Sequence, residues 1–164
     1  MDPVSVSVTI SRPQAEVFEY LADIANHAEF CDHYLVDWRL TREDSYGRGA
    51  GAAFRVKAPM NRFSHANVAF AEVERPRLIV EKGRTGKFNR IRTLGTYEIE
   101  PSSGGATRVT FTFESEPGNL ADRLGEMLGA RGWLRRKNAR AMRRLRSILE
   151  EDRERGNRAT VAAG

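Results

Sequence analysis

The sequence predicts an α+β fold, a curved antiparallel sheet of about six to seven strands wrapped on a long C-terminal helix, with two short helices after the first strand. Three observations predict it. Segments of period two recur from Val4 to Glu114 and are separated by turns rich in Gly and Pro. Two short segments of helical character interrupt them directly after the first strand. The chain then closes on one long stretch of helical spacing that begins near Asn119.

The first strand is the clearest. Val4, Val6, Val8 and Ile10 alternate with Ser5, Ser7 and Thr9, the pattern of a half-buried strand. Ser11 is placed to cap a helix, with Gln14 as the reciprocal member of a capping box and Pro13 in the first turn, where its missing N–H is harmless. Val17, Phe18 and Leu21 form that helix's apolar stripe, and residues 26–33 read as a second short helix or turn. Tyr34, Val36, Trp38 and Leu40 then share one strand face. A turn at Gly47, Gly49 and Gly51 leads into Ala52, Phe54, Val56 and Ala58. Further strands run over 64–74 and 78–82, the latter followed by a polar hairpin loop over 83–89. Thr93, Gly95, Tyr97 and Ile99, then Val109, Phe111 and Phe113, complete the strand pattern. Consecutive strands with short turns argue for an antiparallel meander covered on one face.

In the closing helix, Leu120, Leu124, Met127 and Leu128 start a stripe that Leu134, Asn138, Ala141, Met142, Leu145, Ile148 and Leu149 continue. Gly129 and Gly132 interrupt it, at about 1 kcal/mol each in a helix interior, so a bend or close packing is expected there. One domain over residues 1–155 is expected, with a mobile C-terminal tail over 156–164.

Composition narrows the class. The chain has 164 residues, 40% of them hydrophobic and 30% charged, which suits a packed domain and excludes disordered, collagen-like and disulfide-stapled chains. The single cysteine, Cys31, forms no internal disulfide, and nothing calls for an oxidising compartment. Apolar runs are shorter than the roughly 18 residues of a membrane span. Met1-Asp2-Pro3 does not open a signal peptide, so a cytoplasmic location is expected. The net charge of +5 is concentrated: residues 131–158 carry eleven basic and four acidic side chains, a local +7. A solvated helix face accounts for this most simply. The same arginines, Arg135, Arg136, Arg140, Arg143 and Arg144, are also the kind of surface that contacts nucleic acid or anionic membrane.

An antiparallel sheet with one apolar face must bury that face, and only the terminal helix is long enough to cover it. A curved sheet gripping one helix leaves a cavity unless large side chains fill it, and such sites are concave and mostly apolar. The alternation points Trp38, Phe54, Tyr97 and Phe111 inward from the sheet, and Leu124, Met127 and Leu128 toward them from the helix. His65 and Asn67 share a face with Ala69, Ala71 and Val73, opposite Glu72 and Glu74, and are expected to face the cavity. His65 and Tyr97 are then the candidates for moving protons. His27, Cys31, Asp32 and His33 are metal-ligand types within a short span, but no second cluster completes a closed site; no metal and no cofactor are expected. The glycine clusters at 47–51 and 83–87 lack the helix start that would hold a phosphate and read as turns.

Several segments together carry a resemblance: Val4–Ile10, then Ser11-Arg12-Pro13 leading into Val17-Phe18-Glu19-Tyr20-Leu21-Ala22-Asp23; Phe30 before the strand with Trp38; Gly49-Ala50-Gly51; Glu74-Arg75-Pro76-Arg77-Leu78; and the Arg-rich helix ending at Leu149-Glu150. Over roughly residues 3–152 the chain resembles the START-like helix-grip superfamily, SRPBCC, and within it the small bacterial polyketide cyclase/dehydrase-like proteins. The resemblance implies the helix-grip fold and a cavity for a hydrophobic molecule, lipid, polyketide or isoprenoid-like. Three functions stay open on the sequence: a carrier or binding protein, a cyclase/dehydratase-type enzyme using the same cavity, and an interaction module docking through the Arg-rich helix.

Overall fold

The computed structural model describes residues 2–59, 65–117, 119–125 and 129–161. Seven strands, β1 (Val4–Ile10), β2 (Leu35–Leu40), β3 (Gly51–Val56), β4 (His65–Glu74), β5 (Leu78–Thr85), β6 (Ile91–Pro101) and β7 (Thr107–Glu116), form one sheet in the order β1-β7-β6-β5-β4-β3-β2. Every neighbouring pair is antiparallel. The helices are α1 (Gln14–Leu21), α2 (His27–Cys31), which follows a 3-10 turn over Ile24–Asn26, α3 (Leu120–Gly125) and α4 (Arg131–Glu151). The sheet is a curled half-barrel, and α4 lies against edge strand β1 and against α2.

The predicted alternation of β1 holds: Val4, Val8 and Ile10 are buried and Ser5, Ser7 and Thr9 exposed. On α4, Asn138, Ala141, Met142, Leu145 and Ile148 are buried, the helical stripe expected of a face turned to a core. α4 closes with Asp152 in the left-handed region, φ 53°, and Arg153 N–H donating to Ser147 O at 3.2 Å, a Schellman-type ending.

Four local expectations are corrected. The capping box at the start of α1 is not formed: Gln14 Nε2 donates to Ile99 O at 2.9 Å, and Ser11 N–H donates to Glu150 Oε1 at 2.7 Å. The residues instead tie the β1–α1 turn to β6 and α4. In β2, the register shifts between Val36 and Arg39, with Asp37 at φ 56°. This bulge puts Val36 opposite Arg55 while Trp38 remains inward, its indole N–H donating to Leu35 O at 2.7 Å. The long closing helix is two helices, with Gly129 at φ 100° just ahead of α4.

The fourth concerns the tail. Residues 156–161 lie along the body rather than free of it. Gly156 and Ala159 N–H groups donate to Glu29 O and Ala25 O, Leu40 N–H donates to Thr160 O at 2.8 Å, and Ala159 is buried. A parallel bridge between Leu40 and Val161 covers the free side of edge strand β2. An uncovered edge is a template for unwanted pairing, so the segment closes the sheet at the end opposite β1.

Candidate functional site

Between the concave sheet face, α2 and α4 lies a cavity of about 520 Å³. Trp38 and Phe54, with ring centroids 4.5 Å apart, form one wall. Tyr97 and Phe111, stacked at 4.5 Å, form another. Trp133 and Leu134 close it from α4, and Ala66 and Val68 of β4 leave space beneath them. The exposed members of the wall, Pro59, Gly129 and Arg136, mark its solvent side.

The structure thus brings together four predicted positions, Trp38, Phe54, Tyr97 and Phe111. It does not bring in the others. Leu124 is 60% exposed on α3, a helix separate from α4. Met127 and Leu128 lie outside the described residues. His65 and Asn67 are exposed on the outer sheet face, beside Asp37, Arg39 and Arg55. The cause is a bulge in β4. Phe70 pairs with Glu81 and Glu72 with Val80, so Ala71 is an extra residue without a partner. One added residue reverses the faces of a strand. Counting back from Glu72 and Glu74 therefore assigns the wrong face beyond the bulge, where Ala66, Val68 and Phe70 point inward. An acid–base role for His65 inside the cavity is excluded by this placement.

The inner end of the cavity is polar, and Glu81, Tyr34 and Asn138 there are not among the site residues expected from the sequence. Glu81 of β5 faces it from between Ile79 and Thr85. Its carboxyl lies over Gly95: a Cβ there would sit 2.6 Å from Glu81 Oε1. A glycine inside a strand commonly marks such a close approach. Burial pushes the Glu81 carboxyl up to about 7, since removing water disfavours the charged form. The signal was present in the sequence: Ile79, Glu81, Gly83 and Thr85 share one parity while Lys82 and Arg84 share the other. Ending the strand at Lys82 concealed it.

His27 of α2 packs among Phe30, Phe70 and Tyr97, at centroid distances of 5.3, 5.5 and 5.3 Å. Burial lowers its pKa to about 4, so the ring is neutral at pH 7. Nε2 lies 2.8 Å from Leu21 O. A carbonyl only accepts, so Nε2 carries the proton, leaving Nδ1 as a bare acceptor 4.0 Å from Glu81 Oε2. Tyr34 donates its hydroxyl to Asn138 Oδ1 at 2.7 Å, which fixes the amide; Asn138 Nδ2 is buried without a hydrogen-bond partner among the described residues. Cys31 completes this end, its thiol raised chiefly by burial. The four metal-ligand types of residues 27–33 are thus divided: His27 and Cys31 line the cavity, whereas Asp32 and His33 meet Arg144.

Arg144 is itself a correction to the proposed charged docking face. It turns inward, only 11% exposed, and binds Asp32 Oδ1 at 2.5 Å. Arg135, Arg136, Arg140 and Arg143 are exposed. Among the described residues, no helix is long and apolar enough to cross a membrane.

Glu81 yields a pH-dependent expectation. An acid whose folded pKa exceeds its unfolded one binds extra protons when folded. The stability it contributes is complete below the unfolded value and is lost as pH rises through the folded value; here the window runs from 4.5 to about 7. Glu81→Gln carries no charge at any pH. It is expected to exceed the parent chain in stability by about 3 kcal/mol at pH 8 and to match it at pH 4.5. The opposing contribution of His27 is common to both proteins. Coincident urea curves at pH 8 would contradict this account of Glu81.

Residues 1–150 match the family described as polyketide cyclase / dehydrase and lipid transport. The chain belongs to that family. This family member has no match among curated proteins, but its architecture recurs in solved structures. TTHA0849 from Thermus thermophilus superposes with a TM-score of 0.66 at 14% identity, over 90% of this chain and 96% of the other. Truncated norcoclaurine synthase from Thalictrum flavum gives 0.69 at 12% identity, over 92% and 94%. Norcoclaurine synthase from the same plant has also been solved in complex with dopamine and hydroxybenzaldehyde, and that structure matches at 0.66 and 13% identity, over 92% and 87%. At these identities the likeness establishes the helix-grip fold of the family member described here.

Proposed function

We propose that this protein binds a small hydrophobic molecule, lipid, polyketide or isoprenoid-like, between its sheet and C-terminal helix and serves as a carrier or binding protein. The observation that carries this reading is the cavity of about 520 Å³ walled by paired aromatic rings. Its size falls within the roughly 300–1,000 Å³ of small-molecule sites, and a mostly apolar wall with few polar groups is their usual composition. Family membership supports the same reading. So does a neighbour of this fold, norcoclaurine synthase, being solved with two small aromatic molecules.

Trp38 and Trp133 both line the cavity, so their fluorescence reports occupancy. A neutral apolar naphthalene probe is expected to quench it saturably. Ala66→Phe projects a ring into the space beside Phe54 and is expected to weaken that binding by about tenfold, roughly 1.4 kcal/mol, with the fold intact by circular dichroism. No saturable quenching in the parent chain, together with no co-purified small molecule in native mass spectrometry, would refute the reading.

One observation favours a second reading, a cyclase/dehydratase-type enzyme. Glu81 is held near neutrality inside the cavity, the range suited to general acid–base work, beside Tyr97. In this reading Glu81 takes the role that the sequence assigned to His65.

A further inference from the structure

The inner pole of the cavity contains an unfilled hydrogen-bonding requirement. Asn138 is 1% exposed, and its Oδ1 is already occupied by the Tyr34 hydroxyl. Its Nδ2 lacks a partner among the described residues, and Asn138 is one of the residues lining the cavity. A buried donor left unmet is rare in folded proteins, and an acceptor supplied from within the cavity would satisfy this one. Glu81 faces the same space, in a recess kept clear by Gly95. The cations near this pole are directed elsewhere: Arg144 is engaged by Asp32 and backbone carbonyls, and Arg136 lies on the solvent side. A carboxylate entering this end would meet Glu81 without a compensating charge.

We propose that the guest enters with a neutral oxygen-bearing end first, a ketone, ester or ether oxygen on an apolar body, and that Asn138 Nδ2 and the protonated Glu81 carboxyl donate to it. The proposal rests on the hydrophobic-ligand reading and specifies the chemistry of the end that goes in. It separates neutral oxygenated guests from fatty-acid-like anions, which the apolar walls alone would not. Recognition also becomes pH-dependent, because Glu81 loses its donor proton as it ionises near pH 7. The titratable groups facing Glu81 are His27 and Cys31 from α2, Tyr34 ahead of β2, and Tyr97 from β6. Burial keeps all four neutral at pH 7, so Glu81 is the group that switches.

The test compares three probes of one shape, 2-acetylnaphthalene, 2-ethylnaphthalene and 2-naphthoate, by tryptophan quenching at pH 6 and pH 8. At pH 6 the parent chain is expected to bind the ketone about tenfold tighter than the hydrocarbon, and to bind the carboxylate weakest. The ketone's advantage shrinks at pH 8. Asn138→Leu reduces it at both pH values. Glu81→Gln, which keeps a donor and cannot ionise, preserves it and removes the pH dependence. Equal affinity for ketone and hydrocarbon, or tightest binding of the carboxylate, overturns the proposal while leaving the apolar-cavity reading intact. Failure of all three probes to bind defeats the underlying reading instead. The parent-chain series decides the matter even if Asn138→Leu does not fold.

Discussion

Ending the chain at Glu154 is expected to lower its stability by about 1–3 kcal/mol, the range for leaving a buried polar group without its partner. Glu29 is 3% exposed, and Arg155 Nη1 reaches its Oε2 at 2.8 Å. Without residues 155–164 that carboxylate loses the Arg155 cation. The truncation also removes the Arg158–Asp23 ion pair and the cover on β2. The measurement is the urea midpoint of the two chains at pH 7. Glu29→Gln in the shortened chain is expected to recover most of the loss, since a neutral amide is less costly to bury. An unchanged midpoint would mean that these contacts contribute nothing to stability.

Arg144→Met is expected to cost a further large amount, about 3 kcal/mol. The guanidinium donates to the carbonyls of Glu29 and Glu154, each at 2.9 Å, to Asp32, and to His33 Nδ1 at 3.1 Å. One of these, Glu29 O, is a carbonyl in the last turn of α2, where helix carbonyls run out of intrahelical donors. Methionine replaces the stem and none of the donors. Lysine is not expected to rescue, because a single ammonium does not reproduce a planar fork. A second readout is His33. Its pKa is lowered to about 4, first by burial and then by the charges of Arg144, Arg140 and Lys137. Removing Arg144 is expected to raise it, measurable by NMR titration of the ring. Unchanged stability with an unchanged His33 titration would remove Arg144 from its central place.

These two cases show what sequence reasoning reached and where it stopped. The β1 alternation, the stripe on α4 and the order of elements were enough for the architecture, because each is a periodic signal read locally. The paired walls Trp38–Phe54 and Tyr97–Phe111 were legible for the same reason. His65 and Asn67 were misplaced because a bulge at Ala71 is a property of two strands pairing, which one strand's pattern does not display. The tail was misread because it is held by partners far away in sequence: Arg155 on Glu29, and Thr160 on Leu40. Glu81 was missed because the strand was ended three residues early, and Asn138 because it was counted as part of an apolar stripe.

The extra residue in β4 also separates two kinds of change over evolutionary time. Up to the bulge, alternate side chains belong to the exterior and to the chamber, and Ala66 and Val68 are small or medium among the latter. Enlarging or trimming those two resizes the hold without touching the ladder that supports it. Divergent descendants could therefore exchange one cargo for another while their scaffold stayed recognisable.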